Sequence, residues 1–558
     1  MGLSNMEPLP NPFYEASQEH FWRRENPVPE MMPLVEREML QLSYALRSKP
    51  FWWSKFRDPE IAAKWRAEAL AQAHRMKERH IDYVLQELDG YANLRDGESG
   101  VEVACYDGIW QSDSLVPAKL KERLLSGVAI LENIPDPEKD WHPNSNNMVL
   151  DLVHPSLYPI VYGRTLAYPE GTAIREPSKL QHISPPVIPS GQETYHLSQK
   201  FQWLPTDFVV SEDGKSVKSV SYINNLHPDE HRDLHLTIEE LIGAFLPLFV
   251  RVLTDIIPQN KIIPVRTTNR YSYSSNDEDS EPEYEDYDDD NEYDQAHEAW
   301  SARRLVSPPD VNPKGYVPGK FELRYTSYEL AGKTIQVIVK LANIHLTPDK
   351  PTYGGGSWHV EGMSNEAIAA SGIYYYDEEN ITESRLAFRT TARPPENYGQ
   401  DDTHGCMETW GIGRLVFHLN FDYRKLSTLG VVITRQDRAI AFPNIYQHKV
   451  SPFELRDKSK PGHRKIVALF LVDPAVRRPS TTEVPPQQQK WITPAALANP
   501  TLKRLSVEVI SHISALTDSS MTREEAESFR LELMNERKAF VIRHDEKFSE
   551  VTFDMCEH

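Results

Sequence analysis

The chain has 558 residues, 39% hydrophobic and 26% charged, with a net charge of −21 and three cysteines, Cys105, Cys406 and Cys556. This length predicts more than one folding unit and this composition a globular core. The few, odd and widely spaced thiols exclude a disulfide framework or a cysteine-ligated zinc site, and place the protein in a reducing compartment, cytoplasmic or nuclear.

Residues 1–100 are expected to form a helical N-terminal region. Apolar spacing predicts a helix over Pro33 to Ser48. Asp58-Pro59 reads as an N-cap followed by proline at the first helical position, and a further helix covers about 80 to 90. Trp52, Trp53 and Trp65 there read as core residues. The N-terminus lacks a basic start followed by an apolar block, so no secretory leader is expected.

Residues 101–475 read as one β-rich core. A short helix is expected within 112–124, strands around 199–204 and 217–223, and a buried helix over 237–257. That last run carries Pro247, Arg251 and Asp255 and is too short and polar to span a bilayer. More than half of the net charge lies in residues 277–294, with 12 acidic side chains and no Lys or Arg. Like charges at that density oppose collapse, so a disordered insertion is expected at about 274–296. Its functional alternative is a dock for a basic partner.

Short runs rich in β-branched and aromatic residues predict strands at 320–328, 333–343, 357–362, 371–376, 385–391, 413–420, 430–434, 438–442, 447–450 and 464–472. Their number, with Gly, Pro, Asn and Asp between them, points to an α+β protein with a double-stranded β-helix, or jelly-roll, core. Residues 476–558 are expected to hold a linker over 479–489 and two C-terminal helices, the second opened by the capping box Thr522-x-x-Glu525.

The chemistry concentrates in Ser357-Trp358-His359-Val360-Glu361-Gly362, after Gly354-Gly355-Gly356, and in the distant His448. On a strand, His359 and Glu361 share a face because side chains alternate with period two. A His-x-carboxylate pair completed by a remote His is the ligand set of a non-haem Fe(II) facial triad, which leaves positions open for co-substrate and O2. On the last predicted strand Arg464, Ile466, Ala468 and Phe470 share a face, putting a guanidinium at the mouth of an apolar interior. A planar fork there suits a carboxylate co-substrate, and a strand-end salt bridge is the plainer alternative. His142 and His154, each followed by Pro, read as structural. Tyr374, Tyr375 and Tyr376 line the pocket or pack the core.

The HxE dyad, distal His and following Arg resemble the Fe(II)/2-oxoglutarate-dependent dioxygenase superfamily. Longer strings, among them DWHPNSNNMVLDLVHPSLYPIVYGRT (140–165), VIVKLANIHLTPDKPTYGGGSWHVEGMSNE (337–366), PNIYQHKV (443–450) and GHRKIVALFLVDP (462–474), resemble a fungal domain-of-unknown-function family, number 4246. The resemblance implies iron on His359, Glu361 and His448, and 2-oxoglutarate on Arg464 with Lys340 as fallback. The carboxylate is Glu where most of the superfamily has Asp, and the superfamily's frequent Arg-x-Ser is Arg464-Lys465-Ile466 here. The expected partners are a small-molecule substrate and O2, with no nucleic acid and no membrane. The alternatives are an oxygenase or demethylase acting on a basic protein tail, a non-catalytic jelly-roll scaffold, or a cupin-like site using His359, Glu361 and Glu366 with another metal.

Overall fold

A computed structural model describes residues 8–13, 29–172, 175–188, 194–260, 266–274, 280–392, 395, 397–399, 402–411, 426–515 and 520–546. The protein combines helices with antiparallel sheets. The helices used below are α1 (Leu34–Arg47), α2 (Pro59–Gln72), α3 (Glu78–Leu94), α4 (Ala118–Glu132), α5 (Arg232–Ile256), α6 (Asp290–Arg303) and, at the C-terminal end, α7 (Arg523–His544).

Two of these helices start where local chemistry dictates. The Asp58 carboxylate accepts the free amides of Glu60 and Ile61 at the head of α2, and Thr522 Oγ1 accepts that of Glu525 at the head of α7. Trp52 and Trp65 are buried in the core that α1 to α3 share with α5.

The larger sheet contains, in spatial order, β1 (Glu102–Val103), β2 (Trp110–Ser112), β10 (Ala439–Pro443), β7 (Ile368–Glu379), β12 (Gly462–Val472), β6 (Thr334–Leu346), β4 (Thr206–Val210) and β5 (Val217–Ser219), with β3 (Val149–Val153) also on β6. The smaller sheet runs β9 (Leu426–Thr434), β8 (Ser384–Thr391), β11 (Gln447–Val450). All of these pairings are antiparallel.

Strand alternation separates the two faces of the larger sheet. Val337, Val339, Leu341, Val467, Leu469 and Tyr374 pack towards α5. Ile338, Ala468, Phe470, Ile373 and Tyr375 pack towards Leu386, Phe388 and Val432 of the smaller sheet. Gly372 on β7 admits the α5 rings: a Cβ there would stand 2.8 Å from Phe245. Register puts Lys340 opposite Ala468 and Arg464 opposite Ile344, so both belong to the face turned towards the smaller sheet.

Some sequence expectations change. Residues 320–328 form turns and irregular chain, not a strand. The Asn260 side-chain oxygen accepts the amides of Tyr325 and Thr326, replacing a strand partner. The end of the acidic run opens α6, where Asp289 caps the amide of Glu292 and acidic residues sit at the positive end of the helix dipole. Buried Trp300 fixes this helix to the body, while residues 275–279 lie outside the described residues. The 479–489 segment, linker-like in composition, is packed down. The Ser480 hydroxyl donates to Asp207, and the Gln487 amide to the carbonyls of Tyr158 and Pro159.

The strand expected at 413–420 also lies outside the described residues. Among the described residues no helix is long and apolar enough to cross a membrane.

Candidate metal centre

His359 is not part of a regular strand but forms an isolated antiparallel bridge with His448 on β11. The two residues exchange both backbone hydrogen bonds, His359 N–H to His448 O at 3.2 Å and His448 N–H to His359 O at 2.9 Å. This brings the imidazoles to 4.4 Å between ring centres. The Glu361 carboxylate meets both rings: its Oε1 is 3.7 Å from His359 Nε2 and 3.3 Å from His448 Nε2. Donors about 2.1 Å from one ion at right angles lie roughly 3 Å apart, so Glu361 Oε1 stands near that spacing from both rings, and the donor atoms of all three residues lie within 4.8 Å of one another.

The protonation pattern suits a cation. His359 Nδ1 donates to the Ser357 carbonyl at 2.9 Å, so Nε2, which faces Glu361, is the nitrogen whose proton a metal ion would replace. Burial works against charging His359, yet the hydrogen bond and charge of Glu361 outweigh it and raise its pKa. Burial, then the charge of His359, pushes His448 down. Burial alone would raise Glu361, but hydrogen bonds from the two rings hold it well below the usual carboxylate range. The three groups therefore share protons where a metal ion would replace them. His448 Nδ1 is buried without a hydrogen-bond partner among the described residues.

The sequence reading missed the residue that places Glu361. Asn444, in the turn between β10 and β11, accepts the Glu361 amide through Oδ1 at 2.8 Å and donates through Nδ2 to the Glu361 and Ile368 carbonyls at 2.9 and 3.1 Å. Its only advance signal was its place in the string that carries His448. Gly362, with φ +68°, then turns the chain away from the site. Glu366 is no ligand: it accepts the amides of Trp203 and Met363 and pairs with Arg537 of α7 at 2.6 Å.

Arg464 is 1% exposed and lies in the interior between the sheets. It donates to the hydroxyls of Ser384 and Thr434 and stands over the rings of Tyr375 and Phe453. It pairs with no carboxylate among the described residues, and its Nε has no hydrogen-bond partner. Burial lowers its pKa, as expected of a desolvated cation. Tyr375 shares its face, whereas Tyr374 and Tyr376 belong to the core on the α5 side. Lys340 is half-buried, and its charge opposes protonation of both His359 and His448.

A second cluster, His142, Asp151 and His154, also has donor atoms within 4.8 Å of one another. Here a protein cation already occupies the carboxylate: Arg530 of α7 is 2.5 Å from Asp151 Oδ2, and His142 Nδ1 donates to the same oxygen at 2.8 Å. His154 Nδ1 accepts the Ser156 amide at 3.2 Å, so its neutral ring carries the proton on Nε2. This donor pattern suits an ion-pair network and not a metal.

Helix α7 closes this side of the protein. Arg537 stacks on Trp203 at 3.6 Å, Phe540 joins Phe13, Val360 and Met363, and Asp545, just past the helix, accepts from Arg389 and Gln447. Gln447 is the chain neighbour of His448.

Solved structures with partial similarity include TqaL, an Fe(II)/α-ketoglutarate-dependent dioxygenase (8% identity, 76% of this chain and 90% of that one, TM-score 0.25). Others are IDO from Bacillus thuringiensis (8% identity, 48% and 73%, TM-score 0.20) and a bsmA homolog from Methylobium petroleophilum PM1 (11% identity, 26% and 43%, TM-score 0.14). The chain thus spans less than half the length of the last of these. No curated protein matches the chain. Residues 78–495 match the family described as "Protein of unknown function (DUF4246)" and residues 2–68 match its N-terminal domain, so the chain belongs to the DUF4246 family.

Proposed function

We propose that this protein is a non-haem Fe(II)/2-oxoglutarate-dependent oxygenase of a small-molecule substrate, built on a double-stranded β-helix. The strand order supports the fold. With the His359 bridge taken as the second strand, the eight core strands in chain order are β6, the bridge, β7, β8, β9, β10, β11 and β12. They pair 1–8–3–6 in one sheet and 2–7–4–5 in the other, as two rolled Greek keys require.

The observation that carries the chemical reading is the pairing of two features in one interior: among the described residues, a His–Glu–His face whose carboxylate is ion-paired to no lysine or arginine, and a buried arginine that is ion-paired to no acid and feels Glu378 only at longer range. His359, Glu361 and His448 would hold iron. Arg464, with Ser384 and Thr434 beside it, would hold the far carboxylate of 2-oxoglutarate, which would replace the missing counter-charge. When bound, iron with this co-substrate supplies the oxidation: 2-oxoglutarate and O2 become succinate and CO2, and the second oxygen atom enters a substrate C–H bond as a hydroxyl. The chain's own part is to exclude water with Phe388, Phe442, Phe470 and Trp203, and to fix the ligands through Ser357 and Asn444.

Anaerobic titration of the full chain with Fe(II) and then 2-oxoglutarate tests this. A weak visible charge-transfer band is expected in the wild type, absent in His359→Ala and needing more 2-oxoglutarate in Arg464→Met. A folded, metal-loaded protein without the band would overturn the 2-oxoglutarate reading and favour a cupin-type metal site or an inert scaffold.

A further inference from the structure

The segment that carries His359 and Glu361 has little backbone order of its own. From 354 to 367 it forms no regular strand, and after three successive glycines it meets β11 only at the His359–His448 bridge. Ligands on such a stretch keep a fixed geometry only if side chains from elsewhere hold the backbone.

Helix α7 does this at its C-terminal end. Arg537 pairs with Glu366 at 2.6 Å, and Glu366 accepts the Met363 amide at 2.7 Å, in the turn that follows Glu361. Phe540 shares one buried cluster with Phe13, Met363 and Val360, the residue between the two ligands in the chain. Asp545, just past the helix, reaches the other ligand segment, accepting from Gln447 at 2.8 Å and from Arg389 at 2.9 Å. Arg389 also donates to Gln447 at 2.6 Å, across the β8–β11 pairing. Buried Gln447 directly precedes His448.

The end of one helix thus contacts both segments that contribute ligands, and the face it uses is continuous. Ala526, Arg530, Leu533, Arg537, Phe540 and His544 recur at intervals of four and three, which is one stripe of a helix. Along that stripe Arg530 and Arg537 pair with Asp151 and Glu366, so the helix is docked by charge as well as by buried Leu533 and Phe540.

In the reading above, on which this inference rests, His359, Glu361 and His448 hold a metal. We propose that Phe540 and Asp545 are positioning residues for that centre, and that the end of α7 clamps the two ligand segments against each other. Docking of this end and metal binding are then reciprocally coupled, each strengthening the other by the same factor.

The test is anaerobic calorimetric titration of the full chain with Fe(II) alone, alongside hydrogen exchange of the α7 amides. Asp545→Asn, which removes the charge and keeps the shape, should weaken Fe(II) binding about tenfold, and Asp545→Glu should lose less. Phe540→Ala should act in the same direction and Phe540→Leu should keep most of the affinity. Glu532→Gln, which breaks a pair with Lys200 on the exposed side of α7, should stay within about twofold of the wild type. Fe(II) should slow exchange over 537–545 in the wild type and leave it unchanged in His359→Ala, a response that a merely structural helix would not give. Wild-type Fe(II) affinity in both Asp545→Asn and Phe540→Ala would overturn the inference, as would exchange over 537–545 that ignores Fe(II). An equal loss in Glu532→Gln would overturn it too, since the effect would then be a general loosening of the helix. Fe(II) binding that is the same in the wild type and His359→Ala would instead overturn the metal-centre reading, and this inference with it.

Discussion

His359 and His448 hold each other in place through their backbones before their side chains do anything. Their reciprocal amide–carbonyl bonds, at 3.2 and 2.9 Å, set the two imidazoles side by side, and Glu361 closes the third corner. Both rings thus depend on one bridge between the chain after the glycine-rich turn and β11, so displacement of either segment disturbs both ligands at once.

The ligand geometry also depends on Asn444, which clamps the backbone of Glu361 without touching the rings. Asn444→Ala is expected to leave the protein folded and weaken Fe(II) binding about tenfold to a hundredfold. Saturating Fe(II) should raise the melting temperature of the wild type, by roughly 2.7 kcal/mol of stability at a hundred times Kd, and leave that of His359→Ala unchanged. Wild-type metal affinity in Asn444→Ala would remove the positioning role.

Arg464 is 1% exposed and forms no ion pair among the described residues, so it should burden the apo protein. Arg464→Met is expected to stabilise the ligand-free chain by about 1 kcal/mol while weakening 2-oxoglutarate binding. Urea denaturation and co-substrate titration of one preparation check both halves. A destabilised variant would mean that its bonds to Ser384 and Thr434 outweigh the desolvation.

Glu366, 1% exposed, pairs with Arg537 and accepts two backbone amides. Arg537→Ala should therefore cost about 3 kcal/mol, measured by urea denaturation, because it strands a buried carboxylate. Adding Glu366→Gln should recover part of the loss. Additive costs from the two changes would show that the pair does not couple.

Burial, reinforced by His196 and Arg389 and only partly offset by Asp545, holds His544 at the end of α7 down to a pKa of about 4. The ring is thus neutral in the folded state at pH values where the unfolded chain takes up a proton. Its contribution is complete above about 6.5 and is lost as pH falls towards 4, by about 2 kcal/mol at pH 5. His345, also held at about 4 by burial, acts in the same direction. Melting curves at pH 7.5 and 5 should show a smaller acid loss in His544→Gln than in the wild type. Equal losses would assign the acid sensitivity elsewhere.

Much of this arrangement was legible in the residues because it rests on short-range rules. The period-two relation of His359 and Glu361, the shared face of Arg464, Ile466, Ala468 and Phe470, and the caps at Asp58 and Thr522 are all spacings within a few residues. The fold decided what depends on distant partners. Asn444 clamps Glu361, Arg530 takes the Asp151 carboxylate that otherwise resembles a metal ligand, and Arg537 removes Glu366 from the ligand set. Asn260 satisfies the backbone at 325 and 326 that alternation alone would have made a strand. Side-chain periodicity is written locally because backbone geometry is local. Which charge meets which, across a hundred residues or more, is determined only when the sheets and α7 pack.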